Sequence, residues 1–340
     1  MLWLDRAKPG CLNDKTLAQI GQLKSLETFL IHGFQVYEDA NNITDDGFKA
    51  CFSEDVGKTL TALTLATEFP KVSLEGYKKI NFAKKLRHLS IGLSKEREEL
   101  VRELILPELN ILQIGVLRVG SLDLVDERLP KLQFLEMNKP VFNTAEVESL
   151  SRLKFIEELI MSNTIADDIL CEGIGKCITI RKILTKDLSG LSNNGLKRLL
   201  GLPALHSFGI DTASPVKAKL TEDQIYFISE KKELQKLWLR GQSFKDATQR
   251  WVGKMQNLSV LDVSNSSFSG SRPFQSWKSL QKINELFISN SGLDDESLKD
   301  LSELRNLRYL ELSGNPRLSP DAINKLKQAI PGCEIIADIK

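Results

Sequence analysis

The sequence predicts an α/β solenoid, a curved horseshoe with a parallel inner β-sheet and an outer layer of helices. Three observations predict this fold class. One short apolar pattern recurs about every 24 residues between Leu26 and Leu307. Helix signals follow the pattern, and no linker rich in Pro, Gly or Ser interrupts the series. A repeat of this length is typical of stacked supersecondary elements that share one continuous core.

The recurring pattern is L-x-x-L-x-L, in which Ile, Phe, Val or Met can replace Leu. Its last four residues alternate as a short strand, so positions 4 and 6 point into the core and positions 3, 5 and 7 point away from it. Position 1 precedes the strand and also packs inward. Partial repeats stand at both ends, at Leu2–Leu4 and from Cys333. The twelve full repeats begin at Leu26, Leu60, Leu86, Leu109, Leu132, Ile156, Ile180, Leu205, Leu234, Leu258, Ile283 and Leu307.

The segment after each strand carries a turn and then helix signals. The chain must leave the sheet at a right angle, so some backbone N–H and C=O groups lose their hydrogen-bond partners in the sheet. The buried amide of Asn315 is placed to form hydrogen bonds with these groups. In LSPDAINKLKQAI, Ser319 is placed as an N-cap with Pro320 in the first turn. In DDESLKDLSEL, Asp294 or Asp295 can cap a helix. The residues on its apolar face are Leu298, Leu301 and Leu304.

These residues resemble the leucine-rich repeat family, and the resemblance covers nearly the whole chain. The segments from Leu307 and from Ile283 are similar to helix-bearing bacterial repeats of about 24 residues. The resemblance implies the horseshoe fold and a general role in binding other proteins. It does not identify a partner. The family's ladder of asparagines is broken in this chain. Its position holds Thr164, Ser266 and Ser291, with Asn163, Asn265 and Asn290 one residue earlier.

The uninterrupted series predicts a single solenoid domain over residues 1–340. Two repeats are longer than the others, near 32–59 and 211–233. Extra residues in a repeat form either a surface loop or a longer outer helix, and both alternatives are open here. A strand at Leu2 with nothing before it leads us to expect an upstream segment, or another surface that covers this edge.

The composition is that of ordinary globular material, with 41% hydrophobic and 27% charged residues in 340 and a formal net charge of +1. Near-neutral charge argues against nucleic acid as the main partner, because phosphate binding normally brings a basic excess. No apolar run reaches the roughly 18 residues of a spanning helix. We expect no secretion signal, because MLWLDRAKPG shows no basic region followed by an apolar core. Five scattered cysteines are typical of reduced, mostly buried thiols, which predicts a cytoplasmic protein.

Candidate chemical motifs fail on their spacing. SEDVGKT ends like a phosphate-binding loop, but Phe52 stands where the first glycine is needed. Cys171 and Cys177 have neither a second cysteine pair nor a nearby histidine, so they predict no zinc site. The three histidines lie in no motif with a nucleophile, and acidic pairs such as Asp167 and Asp168 lie where helix caps belong. We therefore predict no enzyme, no metal and no cofactor.

The outward strand positions predict a ligand-binding site on the concave face. Aromatic residues with arginine, ringed by charges, are typical of binding hot spots. The C-terminal third carries such a set, and the middle of the face carries an apolar patch. The first comprises Trp238, Arg240, Asp262, Phe287, Tyr309 and Glu311. The secondary patch comprises Ile111, Phe134, Ile160 and Leu184.

Two hypotheses for function follow. The first is a non-enzymatic protein–protein interaction module that binds a protein or peptide on the concave face in the cytoplasm, without nucleic acid, membrane insertion or a small-molecule cofactor. The alternative is the substrate-recognition part of a larger adaptor or bacterial effector, delivered into a host cytosol, with a catalytic domain elsewhere. A catalytic domain in the full reading frame would favour the alternative.

Overall fold

The strands form where the L-x-x-L-x-L pattern places them. A computed structural model describes residues 1–5, 10–32, 40–93, 97–186, 189–211, 219–270 and 272–338. Within these residues, each of the twelve repeats opens a strand at its third position, as Thr28 does after Leu26 and Tyr309 does after Leu307. The predicted register is therefore confirmed, and the α/β solenoid fold class with it.

The chain divides into two compact parts, which we call the N-terminal body and the C-terminal body. The N-terminal body comprises Met1–Ser162 and Lys176–Ile180. The C-terminal body comprises Asn163–Gly175 and Arg181–Lys340. The assignment of residues 1–340 to a single domain stays a prediction.

Within each body the strands pair in parallel, in the order of the chain. Each repeat brings the chain back to the same edge through a turn and a helix, which a parallel ladder requires. The described strands of the N-terminal body are β1 (Leu2–Asp5), β2 (Thr28–His32), β3 (Ala62–Leu65), β4 (His88–Ile91), β5 (Ile111–Ile114), β6 (Phe134–Asn138) and β7 (Glu158–Ser162).

The C-terminal body continues the pattern and adds a short second sheet. Its first strands are β8 (Lys182–Lys186), β9 (Ser207–Asp211) and β10 (Lys236–Arg240), followed by β12 (Val260–Asp262), β14 (Glu285–Phe287), β15 (Tyr309–Glu311) and β16 (Glu334–Ile336). The second sheet pairs β11 (Ser243–Phe244) with β13 (Ser267–Phe268) in parallel.

Helices connect the strands. The α-helices of the N-terminal body are α1 (Asp14–Ile20), α2 (Asp45–Cys51), α3 (Glu54–Gly57), α4 (Leu74–Tyr77), α5 (Leu100–Glu103) and α6 (Val125–Arg128). Those of the C-terminal body are α7 (Asp168–Ile174), α8 (Asn193–Leu200), α9 (Glu222–Glu230), α10 (Asp246–Gly253) and α11 (Pro320–Ala329). Helix α11 begins as predicted, with Ser319 as N-cap and proline in the first turn.

Several connections are 3₁₀ helices rather than α-helices. They comprise Ala40–Asn42, Lys78–Phe82, Val119–Leu124, Glu146–Arg152, Gln275–Ser279, Asp295–Leu298 and Leu301–Glu303. The last two replace the single helix that DDESLKDLSEL predicts, although Asp294 caps the first of them as expected. A 3₁₀ helix rises about 2.0 Å per residue, so a short segment covers more distance than an α-helix does. The predicted apolar face is nevertheless buried, at Leu298, Leu301 and Leu304.

A residue with positive φ follows the strands at position 8 of six repeats. It is asparagine at Asn163, Asn265 and Asn290, with φ between 51° and 58°. It is glycine at Gly241 and Gly314, and lysine at Lys139. Asparagine and glycine enter the left-handed region at least cost. These asparagines therefore set the backbone of the turn, while position 9 supplies the buried polar side chain.

Lys139→Gly is expected to stabilise the protein by about 1 kcal/mol. The φ of 51° at Lys139 costs a lysine roughly 1–2 kcal/mol that glycine avoids, and glycine loses part of this gain in backbone entropy. The lysine side chain is exposed, so its removal costs little packing. Urea denaturation of Lys139→Gly and of Lys139→Ala measures the effect. A gain in the alanine variant as well would contradict the explanation.

Neighbouring helices are linked at their first turns. Asp14, the first residue of α1, accepts a hydrogen bond from the Oγ1 of Thr44 at 2.6 Å, and Asp45 accepts one from the Oγ of Ser73 at the same distance. A Cβ at Gly76 would lie 2.2 Å from the Asp45 Oδ1, so glycine is needed there. The C-terminal body repeats the link at Asp168 and Ser192 and at Asp295 and Ser319. Asp246, the first residue of α10, instead accepts a hydrogen bond from Ser269, which follows β13.

The two long repeats contain helices in the parts that the structure describes. Helices α2 and α3 lie in the repeat from Leu26, and α9 lies in the repeat from Leu205. Residues 33–39 and 212–218, where the surplus residues stand, lie outside the described residues. Among the described helices, none is long and apolar enough to cross a membrane.

Candidate functional site

Positions 3, 5 and 7 of the strands form the side of the sheet that faces away from the core, which we call the open face. Four successive strands of the C-terminal body, β10, β12, β14 and β15, bring the six predicted ligand-binding residues together on it. Four of them share one row at position 5, in the order Trp238, Asp262, Phe287 and Glu311. Arg240 lies at position 7 and Tyr309 at position 3.

Two carboxylates hold the guanidinium of Arg240. Its Nε and Nη2 each lie 2.6 Å from the Oδ2 of Asp262, and its Nη1 lies 3.3 Å from the Oδ2 of Asp211. Burial lowers the pKa of Arg240, but the hydrogen bond and charge of Asp262, with those of Asp211, raise it above its ordinary value. Arg240 therefore presents a fixed, permanently charged group while a large part of its side chain stays exposed.

The predicted site requires Asp262 to be accessible to a ligand, but the structure buries it. Only 1% of its surface is exposed. The reason is its position: Trp238 and Phe287 flank it in register, and Arg240 bonds to its carboxylate. Its other oxygen accepts the backbone N–H of Ser264 at 3.0 Å. Asp262 positions Arg240 and contributes no surface of its own.

Trp238 is a partly exposed aromatic residue that packs across its neighbouring strand. Gly209 lies beside it in register, and a Cβ there would lie 3.1 Å from the Trp238 Cβ and 2.4 Å from the Leu184 Cδ1. Leu184 and Trp238 thus cover the glycine from its two sides. The Nζ of Lys182 lies 6.0 Å from the indole centroid, within the range of a cation–π contact.

Phe287 and Tyr309 form a second aromatic surface. Their ring centroids are 5.3 Å apart with planes tilted by 42°. The Tyr309 hydroxyl donates to Glu311 Oε2 at 2.9 Å, and the backbone N–H of Ser313 donates to Glu311 Oε1 at 3.1 Å. The hydrogen bond to Glu311 raises the pKa of Tyr309. Both rings are partly exposed and held in place, which lowers the entropy cost of binding to them.

The secondary patch is divided between the two bodies. Leu184 belongs to the C-terminal body, where it meets Trp238 over Gly209, so it joins the main cluster. Ile111 and Phe134 are partly exposed neighbours in register within the N-terminal body. Ile160 is only 8% exposed. Ile160 therefore offers little to a ligand.

Sequence reasoning missed Asp211, Lys182 and Gly209. Asp211 ends β9 at position 7, beside Arg240 in register, and a comparison of position 7 across repeats would have paired them. A glycine between two large apolar residues at position 5 was also a signal that side chains cover it. The cation–π contact of Lys182 spans two strands, which a comparison of adjacent repeats does not reveal.

The buried cysteines are poor nucleophiles. Burial raises the pKa of the Cys51, Cys171 and Cys177 thiols to about 12, so they stay protonated at neutral pH. Within the described residues no three His, Cys, Asp or Glu side chains lie together as metal ligands.

Comparison with known proteins supports the fold. No protein-family model matches the sequence, and a comparison with curated proteins gave no match. Among solved structures, an internalin (inlF) from Listeria monocytogenes is similar over 87% of this chain and 89% of that chain, with 14% identity and a TM-score of 0.50. TLR13, solved in complex with ssRNA13, is similar over all of this chain and 54% of that chain, with 16% identity and a TM-score of 0.56.

Both of these solved structures are leucine-rich repeat proteins. Identities of 14% and 16% carry information on the fold alone. Parallel strands in chain order, strand starts at position 3 of each described repeat and the buried Asn315 in its turn agree with that fold. The chain has the leucine-rich repeat fold.

Proposed function

We propose that the protein is a non-enzymatic recognition module that binds a protein or peptide on the open face of the C-terminal body. The ligand docks across β10, β12, β14 and β15. Trp238, Phe287 and Tyr309 provide the apolar contacts, and Arg240 provides a fixed positive charge. Asp262 and Asp211 hold Arg240 in place, and Glu311 holds Tyr309.

One observation carries this proposal. Three partly exposed aromatic rings and a doubly held arginine lie within four neighbouring strands, on the side of the sheet that faces away from the core. Large aromatic residues and arginine are the residues that contribute most to protein interfaces, because they bury much area at low entropy cost. None of these side chains is needed to fill the core, which the residues at positions 4 and 6 occupy.

A protein or peptide fits this surface better than a nucleic acid does. The structure of TLR13 with ssRNA13 makes RNA a ligand to test. However, the net charge of this chain is only +1, and two carboxylates already engage Arg240. Binding to the phosphate backbone relies on several uncompensated basic side chains. We expect no binding of a mixed-sequence single-stranded RNA at physiological salt.

Trp238→Ala is expected to weaken binding about 30-fold, which corresponds to ~2 kcal/mol. The probe is a peptide selected on the wild-type protein from a random dodecapeptide library. The melting temperature should change little, because the indole lies on the open face rather than in the core. Fluorescence anisotropy measures the affinity, and calorimetry measures the stability.

Tyr226→Ala is the matched control. Tyr226 is an exposed aromatic residue on α9 that packs edge-on against Trp251 at 5.4 Å, so its removal also deletes a surface ring contact. It lies outside the strands, and its loss should leave peptide affinity unchanged. Equal affinity of the Trp238→Ala protein and the wild type for the selected peptide would refute the proposed site.

The role as the recognition part of a larger adaptor or effector stays a prediction, and so does the cytoplasmic location. The full reading frame of the gene would test the adaptor role through the domains that it encodes.

A further inference from the structure

The open face of the C-terminal body carries a row of side chains whose charge changes sign along its length. The row lies at position 3, and the strand register fixes its order. From β8 to β16 it runs Lys182, Ser207, Lys236, Val260, Glu285, Tyr309 and Glu334. Lysines thus occupy one end and glutamates the other, with the buried Val260 between them.

The side chains beside this row follow the same division. Lys186 and Arg240 lie at position 7 of β8 and β10, and Asp211 between them offsets part of their charge. Glu311 lies at position 5 of β15, next to Phe287 in register. Lys186, Lys236, Glu285 and Glu334 are all exposed. The face is therefore basic at its β8–β10 end and acidic at its β14–β16 end, and Trp238 on β10 and Phe287 on β14 stand on the inner strand of each end.

We propose that the ligand of this site is an extended peptide segment with its charges separated. The acidic residues of the peptide lie toward β8 and its basic residues toward β16, and the apolar residues between them cover Trp238 on β10 and Phe287 on β14. This inference rests on the proposed function and specifies the partner of the same site. Opposite charges face each other in that arrangement, whereas a peptide with its charges interleaved brings like charges together.

The size of the row sets the length of the segment. Neighbouring strands lie about 4.8 Å apart, so the six steps from β8 to β16 span about 29 Å. An extended chain advances about 3.3 Å per residue, so roughly nine residues cross the row. A dodecapeptide is long enough to reach both charged ends at once.

Selection from a random dodecapeptide library on the wild-type protein tests the inference. We expect the enriched peptides to carry Asp and Glu toward one end, Lys and Arg toward the other, and apolar residues between. Selection on the Trp238→Ala protein in parallel identifies the peptides that depend on the site. Enriched, Trp238-dependent peptides without separated charges would overturn this inference and leave the proposed function standing. A selection with no Trp238-dependent peptide would overturn both.

Charge reversal on the protein provides an independent measurement. Lys236→Glu is expected to lower the affinity for a selected charge-separated peptide at least threefold at low salt. The loss of affinity should be smaller at 1 M salt, because salt screens exposed charges. Glu285→Lys should act in the same direction on the same peptide. Lys325→Glu is the control, since it makes the same charge change on the exposed face of α11. An equal effect of Lys325→Glu would mean that net charge alone acts, and would contradict the proposal.

Discussion

Leu310→Ala is expected to lower the free energy of unfolding by about 2–5 kcal/mol. Leu310 lies at position 4 of β15 and is 0% exposed. Its neighbours in register are Leu286 and Ile335, on the strands to either side. Truncation removes three carbon atoms from a close-packed core and leaves a cavity that stacked repeats cannot readily close. Urea denaturation followed by circular dichroism measures the change.

Leu23→Ala serves as the comparison for this prediction. Leu23 is an exposed leucine in the N-terminal body, so its truncation leaves no cavity and should cost less than about 1 kcal/mol. If Leu310→Ala costs no more than Leu23→Ala, then position 4 does not face the core and the register is wrong.

The register was the part of the fold that the sequence determined most fully. Side chains alternate along a strand with a period of two, so a shift by one residue would expose every leucine at positions 4 and 6. The repeats from Leu60 to Leu109 match the L-x-x-L-x-L pattern only loosely, and yet they start their strands at position 3 like the others. The type of helix was harder to predict from the sequence, because an apolar residue at every third position is compatible with a 3₁₀ helix and with one face of an α-helix. That ambiguity explains why the DDESLKDLSEL segment forms two 3₁₀ helices where the sequence predicted a single helix.

The site was predictable as a set of residues but not as a set of contacts. The repeat places Trp238, Phe287 and Tyr309 on the open face, because position alone decides which way a strand residue points. It cannot tell that Asp262 is covered, since this depends on how far the Arg240 side chain bends across the strand. Ile160 likewise holds an outward position but is only 8% exposed, so the position of a residue in the repeat does not by itself give its exposed fraction.

The turn asparagines show a second limit of pattern matching. Against the family pattern, Asn163, Asn265 and Asn290 stand one residue too early. Their positive φ explains the placement, since they serve the backbone conformation of position 8. The side chain at position 9 then forms the hydrogen bonds to the backbone of the turn. There Ser291 donates to the Ser289 carbonyl at 3.0 Å, a bond within reach of a short side chain.

Asn315→Ala is expected to cost about 2–4 kcal/mol, because one amide satisfies four backbone groups in the interior. Asn315 is 5% exposed. Its Nδ2 donates to the carbonyls of Ile288 and Leu312 at 2.9 and 2.8 Å. Its Oδ1 accepts from the N–H groups of Ser291 and Leu293 at 2.9 and 3.1 Å. Alanine leaves all four without partners, except where water can enter.

Asn306→Ala provides the contrast that isolates this effect. Asn306 is exposed, and its amide donates to the Gln281 carbonyl at the surface, where water replaces the bond once it is lost. Its truncation should cost less than about 1 kcal/mol, although it removes the same atoms as Asn315→Ala. Urea denaturation of both variants gives the difference directly. Equal costs would mean that water reaches the turn at Asn315, and that its buried amide does not stabilise the solenoid through the four backbone groups it contacts.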